Sequence, residues 1–181
     1  MRCCQLIFLV LSLMIVAEHA HARKWKPKPH ELASEYSMIS DMRSRTELVI
    51  INWVAPEGVA EGSPGYETSR QILREYMLVG VAHVNFSLTG RADYKTPEGL
   101  SVQPANEQPR PPLARETLPP AVVGLLAGIQ AFFSQAMGSI GQGFHWFVFD
   151  GKGIRSCDKG SFVIAYAGER YTYDTPIPGC P

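Results

Sequence analysis

The chain has 181 residues, of which 45% are hydrophobic, and its 17 basic and 17 acidic residues cancel. That length can bury a core within one domain, and a neutral chain with no basic stripe inside its fold argues against nucleic-acid binding. No H-x-x-x-H, H-E-x-x-H or G-x-S-x-G spacing occurs, so neither a metal nor a cofactor is expected and no catalytic residue is assigned.

The chain opens with Met1-Arg2, an apolar run from Leu6 to Ala17 and then Ala20-His21-Ala22. This is the charge, hydrophobic core and A-x-A exit of a secretory signal, so residues 1–22 are read as a leader and the mature protein as periplasmic or secreted, starting at Arg23. The run is shorter than the roughly 20 residues of a permanent span, and Cys3 and Cys4 precede it and leave with it. Next come Arg23, Lys24, Lys26 and Lys28 around Trp25, stiffened by Pro27 and Pro29. Such an arm suits an anionic surface of lipid or polysaccharide, although a solvated arm is the plainer expectation. Helical character over Glu31 to Arg43 completes an arm-and-helix segment at 23–46, leaving 47–181 as one globular domain.

Glu47 to Ala55 reads as a strand ended by Pro56, apolar on both faces and so placed inside a sheet, with Asn52 needing a hydrogen-bond partner. A helix is expected from Ser63-Pro64 to about Met77, with Ile72, Leu73, Tyr76 and Met77 on its inner side. From Leu78 the period changes to two, which predicts a strand ending at Thr89-Gly90. Strand, helix and strand in this order admit a right-handed parallel crossover. His83 falls in the middle of the second strand, where a base or ligand competes with the commoner histidine bonded to a neighbouring group. The sequon Asn85-Phe86-Ser87 lies inside the same strand and reads as chance.

Residues 93–120 hold seven prolines among polar residues, which predicts a long loop, read as an ordered wrap over the body. Ala121 to Ile140 is a helix without a charged residue. A buried central helix is the leading reading; a membrane span and a partner-binding helix with a Gly124 to Gly128 close-packing face are the others. The chain as a whole is not expected to be an integral membrane protein.

Strands are expected at 144–149, 154–157, 161–167 and 169–173, forming an antiparallel meander whose Asp150-Gly151 is a strong hairpin signal. Its aromatics either pack the sheet or offer a carbohydrate or peptide platform through Trp146, Tyr166, Tyr171 and Tyr173. Cys157 and Cys180 are expected to form a disulfide, with a loop-closure contribution of about 3 kcal/mol that holds the proline-rich tail; no third ligand for a metal stands near them.

The fold expected is α+β, with a mixed or antiparallel sheet, a C-terminal meander and two main helices packed on it. Two functional classes follow. The first is an exported, non-catalytic protein that binds a protein or glycan of the cell envelope or extracellular space, with Trp146, Tyr166, Tyr171, Tyr173, His83 and His145 as candidate ligand residues. The alternative is a small exported hydrolase or metalloprotein, which requires His83, His145 and a carboxylate in one pocket.

Overall fold

In the computed structural model the backbone of residues 22–25 and the whole of residues 37–180 are described. The expected leader up to His21, Lys26, Lys28 and the first part of the expected 31–43 helix lie outside the described residues. In chain order the elements are β1 (Ala22–Trp25), β2 (Met38–Met42), β3 (Glu47–Val54), α1 (Tyr66–Glu75), β4 (Tyr76–Phe86), β5 (Ala92–Lys95), β6 (Ser101–Pro104), α2 (Pro120–Met137), α3 (Ser139–Gln142), β7 (His145–Asp150), β8 (Gly160–Tyr166) and β9 (Glu169–Thr175).

Two sheets result, antiparallel apart from the β1–β9 pair, with two main helices: an α+β fold. One sheet has the order β1-β9-β8-β6; the other has the order β2-β3-β4, with β5 and β7 sharing the far edge of β4. They pack face to face, as two sheets with one apolar face each must. Val49, Ile51 and Trp53 of β3 and Met77, Val79 and Val81 of β4 meet Val102, Phe162, Ile164, Tyr171 and Tyr173 from the opposite sheet. The other side of β3 and β4 carries Ile50, Leu78 and Ala82 toward α2.

Strand β3 is interior, as its two apolar faces require, and Asn52 is buried in it. The connection from β3 to β4 is antiparallel, with Glu47 opposite Asn85 and Val54 opposite Leu78, which corrects the expected parallel crossover. Helix α1 runs straight into β4, so the chain re-enters the sheet at the end where it left and never travels the length of the strand. The helix is also shorter than expected, because Tyr76 and Met77 pair with Asp150 and Phe149 of β7.

The expected helix up to Arg43 is, over its described part, strand β2. Ile39 and Asp41 point inward while Ser40 and Met42 face out, a period of two disguised by a buried aspartate. The expected four-stranded meander is also corrected. β7 joins β4 in one sheet, β8 and β9 form a hairpin in the other, and residues 154–157 between them are not a strand. There the Ile177 N–H donates to the Ser156 carbonyl, and the Cys157–Cys180 disulfide ties the tail to this crossing. The proline-rich stretch is an ordered wrap. It contributes most of β5, all of β6 and a bridge between Val102 and Arg110.

Helix α2 is not the buried central helix expected. Only Val122, Leu126 and Phe133 are buried, whereas Phe132 is 65% exposed and Gly124 and Gly128 face open space. It stops at Gly138, whose φ of 58° suits glycine, and α3 folds back so tightly that a Cβ on Gly141 would lie 1.8 Å from the Phe133 carbonyl oxygen. The two glycine classes should therefore separate in urea unfolding. Gly141→Ala is expected to lose about 1–3 kcal/mol, and Gly124→Ala or Gly128→Ala to gain about 1 kcal/mol each.

Candidate ligand cleft

Tyr166, Tyr171 and Tyr173 alternate inward along β8 and β9 and are 3%, 1% and 0% exposed. No ring face is left for a ligand, so these three are core residues and not the platform considered for them. Tyr173 stacks on Phe162 at 4.9 Å and meets Trp53 edge-on.

His83 is also buried, and both of its ring nitrogens are engaged. Nε2 lies 2.7 Å from Glu47 Oε1 and Nδ1 lies 2.7 Å from Tyr166 Oη. A carboxylate can only accept, so Nε2 carries a proton, and in the neutral ring Nδ1 accepts from the Tyr166 hydroxyl. Beside this pair Arg43 donates to the Tyr166 and Ala167 carbonyls and to Tyr171 Oη, and the Tyr171 hydroxyl donates to Asp41. The hydrogen bond from His83, helped by Lys95, holds the Glu47 carboxyl below its ordinary value. Burial pushes the Tyr166 hydroxyl up and the Tyr171 hydroxyl up to about 12. This cluster is closed and serves the fold.

His145 lies elsewhere, on β7 opposite Val81, and lines a cleft of about 740 Å³. A second cavity, beside Trp53 and Met77, is about 30 Å³, room for little more than a water. The large cleft falls within the size range of ligand sites. One wall is α2, through Leu126, Ala127, Gln130 and Ala131; another is the wrap, through Thr96, Pro97, Pro112, Leu113, Arg115 and Leu118; the floor is Phe144 to Val148. Of the sequence-derived candidates it brings together Trp146 and His145 and leaves out His83.

Trp146 is seated by a glycine. A Cβ on Gly80, directly across from it on β4, would lie within 2.8 Å of the Trp146 and Phe144 rings, so the bare backbone lets both rings lie flat on the strand. Phe133 closes over them from α2, at 5.0 Å from Trp146 and 5.1 Å from Phe144. The indole N–H is buried with no hydrogen-bond partner among the described residues.

The cleft follows the free edge of β7. Gly151 N–H donates to Glu75 O, so residues of odd number in β7 point their peptide groups at β4 and residues of even number point theirs away. Of the outward carbonyls, Asp150 O accepts from Arg110 and Val148 O accepts from Leu113 N–H. The wrap then turns off into a 3-10 helix at Arg115–Thr117, and no backbone partner from it reaches Trp146. Arg115 side-chain nitrogens have no hydrogen bond or ion pair among the described residues. Sequence reasoning missed Arg115, Ala127 and Ala131, because nothing in local spacing says which loop lies across which strand.

Glu57, Cys157 and Cys180 are the described residues whose ligand atoms come closest to metal-site spacing, but the disulfide uses both sulfurs and leaves no thiolate. Comparison with protein-family models, curated proteins and solved structures finds no match for this chain.

The buried cluster sets a pH response. Tyrosine ionises near 10 in the unfolded chain and Tyr171 near 12 in the folded one, so stability is complete below pH 10 and is lost as pH rises toward 12. Glu47 has the opposite sense: its depressed value adds stability above about pH 4.5 that disappears on acidification. Urea unfolding against pH should show both slopes. Glu47→Gln is expected to flatten the acid limb, and Tyr171→Phe the alkaline one at a cost of about 1–3 kcal/mol near neutrality.

Proposed function

We propose that the chain is an exported, non-catalytic binding protein of the cell envelope or extracellular space, and that the cleft between α2 and β7 is its ligand site. The observation that carries the reading is α2 itself. It has no charged residue, fully buries only Val122, Leu126 and Phe133, packs Leu125, Ile129 and Met137 partly against the core, and leaves Val123 and Phe132 exposed and Ala127 and Ala131 lining the cleft. A surface helix that only covers a core normally carries charge on its outer side, and an uncovered apolar surface of this kind marks an interaction site. The signal-like N-terminus and the Cys157–Cys180 disulfide support export, since disulfides persist in oxidising compartments. The partner is a protein or glycan rather than nucleic acid, and the basic residues Arg23, Lys24, Lys26 and Lys28 can add contact with an anionic surface. By length and composition α2 also qualifies as a membrane span. Its docking on Leu78, Val148 and Phe144 favours a helix that stays on the sheet.

The histidine-based hydrolase or metalloprotein needs His83 and His145 in one pocket, and the cleft contains only the second. The binding reading is tested by placing a photocrosslinking residue at Ala131, in the cleft, and at Leu88, which is fully exposed at the tip of the β4–β5 turn. In the envelope or extracellular fraction, position 131 should capture a partner that position 88 does not. Ala127→Arg, an exposed wall position, should reduce that capture at least tenfold. Equal capture from both positions, or capture indifferent to Ala127→Arg, overturns the assignment.

A further inference from the structure

We propose that the cleft binds an extended, largely apolar peptide carrying a carboxylate, added as a strand to the open edge of β7 at Trp146 with its carboxylate on Arg115. The inference rests on the binding reading above and names its ligand class.

The first ground is the edge. Both faces of β7 contribute to the cleft, Trp146 and Val148 on the α2 side and His145 and Phe147 on the other, so the opening runs along the strand and not over one face. At Trp146 the peptide N–H and C=O point into this opening. A chain that lies there in extended form can take up both, the pairing by which peptides add to exposed sheet edges. The wrap has already begun such a strand with Leu113 on Val148, and it leaves at Arg115, one pairing step short of Trp146. Pro111 and Pro112 lack N–H groups, so the wrap cannot donate from those two positions.

The second ground is the chemistry of the walls. Alternate side chains of an added strand would point toward α2, where Leu126, Ala127 and Ala131 offer apolar and small surfaces, and toward Phe147 and Pro97 on the other side. Apart from His145, Arg115 is the one ionisable residue in this lining, and it has no acidic partner among the described residues. A planar guanidinium is suited to paired hydrogen bonds with a carboxylate. The carboxylate can be a chain terminus or an acidic side chain.

The test uses the mature chain, residues 23–181, and a library of N-acetylated heptapeptides alternating Val, Leu, Phe or Tyr with Ser, Thr or Gln. Each is made as a free acid, as an amide, and as an amide with one internal Glu. Binding is read by nitrogen-15 NMR, with amide hydrogen exchange at Trp146. Members bearing a carboxylate should bind and slow exchange of the Trp146 amide at least tenfold. N-methylation of the peptide residue facing Trp146 should weaken binding about tenfold, and Arg115→Gln should bring the acid down to the affinity of the neutral amide. The free-acid and internal-Glu arms distinguish a terminal from a side-chain carboxylate.

Binding that leaves Trp146 exchange unchanged, or that tolerates N-methylation, overturns strand addition, as does a library with no binder. Equal affinity of acid and amide overturns the role of Arg115. A dimer dissolved by Ala127→Arg would give the cleft to a second copy and overturn the peptide. If partner capture from position 131 survives these failures, the binding reading stands without the peptide; if that capture is also absent, both fall.

Discussion

The joining of the two sheets at their polar end is the constraint on which the rest depends. Arg43, at the β2–β3 turn of one sheet, reaches across to the Tyr166 and Ala167 carbonyls at the β8–β9 turn of the other, and its guanidinium lies 5.6 Å from the Tyr166 ring centroid. Asp41 meets Tyr171 and His83 meets Tyr166 across the same seam. A one-residue slip of β4 would carry His83 to the opposite face and leave several buried polar groups without partners, at about 1–3 kcal/mol each. Hydrophobic burial alone would tolerate more than one way of laying the sheets together. The polar contacts tolerate one, and the disulfide fastens the tail at the other end, near Trp53 and Pro56.

With the sheets fixed in this way, the position of the cleft follows from strand lengths. β4 has eleven residues, while β5 pairs only with His83–Phe86 and β7 only with Tyr76–Val81. Two short strands therefore share one long edge, and both present a further edge of their own. An exposed edge is ordinarily covered or charged. Here the wrap covers β7 only at Asp150 and Val148, leaving Trp146 beside a space that α2 roofs. Gly80 matters to this because it keeps the Trp146 ring against β4; a side chain there would push the indole into the opening.

Much of this was legible in the sequence wherever one signal acted alone. β3 and β4 show in their apolar runs, the β8–β9 hairpin in its alternation and Gly168, the disulfide in two cysteines that stand apart from the expected leader, and the ordered wrap in its prolines. Signals in conflict misled. Asp41 breaks the apolar alternation of β2 because its partner, Tyr171, is 130 residues away. β7 resembles the first strand of a meander because the turn after it is a good hairpin turn, yet it pairs with β4, where Gly80 makes room for the Trp146 and Phe144 rings. The cleft was half visible, through Trp146 and His145. Its other walls come from segments roughly 15 to 50 residues away in sequence, and no local pattern announces that they converge.

Helix α2 shows where composition and burial part company. An uncharged helix with two aromatics and five aliphatic side chains reads as interior, but two sheets that already bury each other need cover on only one remaining face. Val122, Leu126 and Phe133 of α2 supply most of that cover, with Leu125, Ile129 and Met137 packed partly against the same face. The excess apolar character is therefore not explained by the fold. Membrane insertion would account for it only if the helix undocked, since its 18 residues lie along the sheet with Phe133 held by Phe144 and Trp146, and removal would expose the outer face of β4 and β7 to water. Glycines at 124 and 128 weaken the helix by about 1 kcal/mol each relative to alanine while touching nothing. Residues that cost stability and pack against nothing among the described residues are better understood through what approaches from outside, and they lie on the same helix as the cleft residues Ala127 and Ala131.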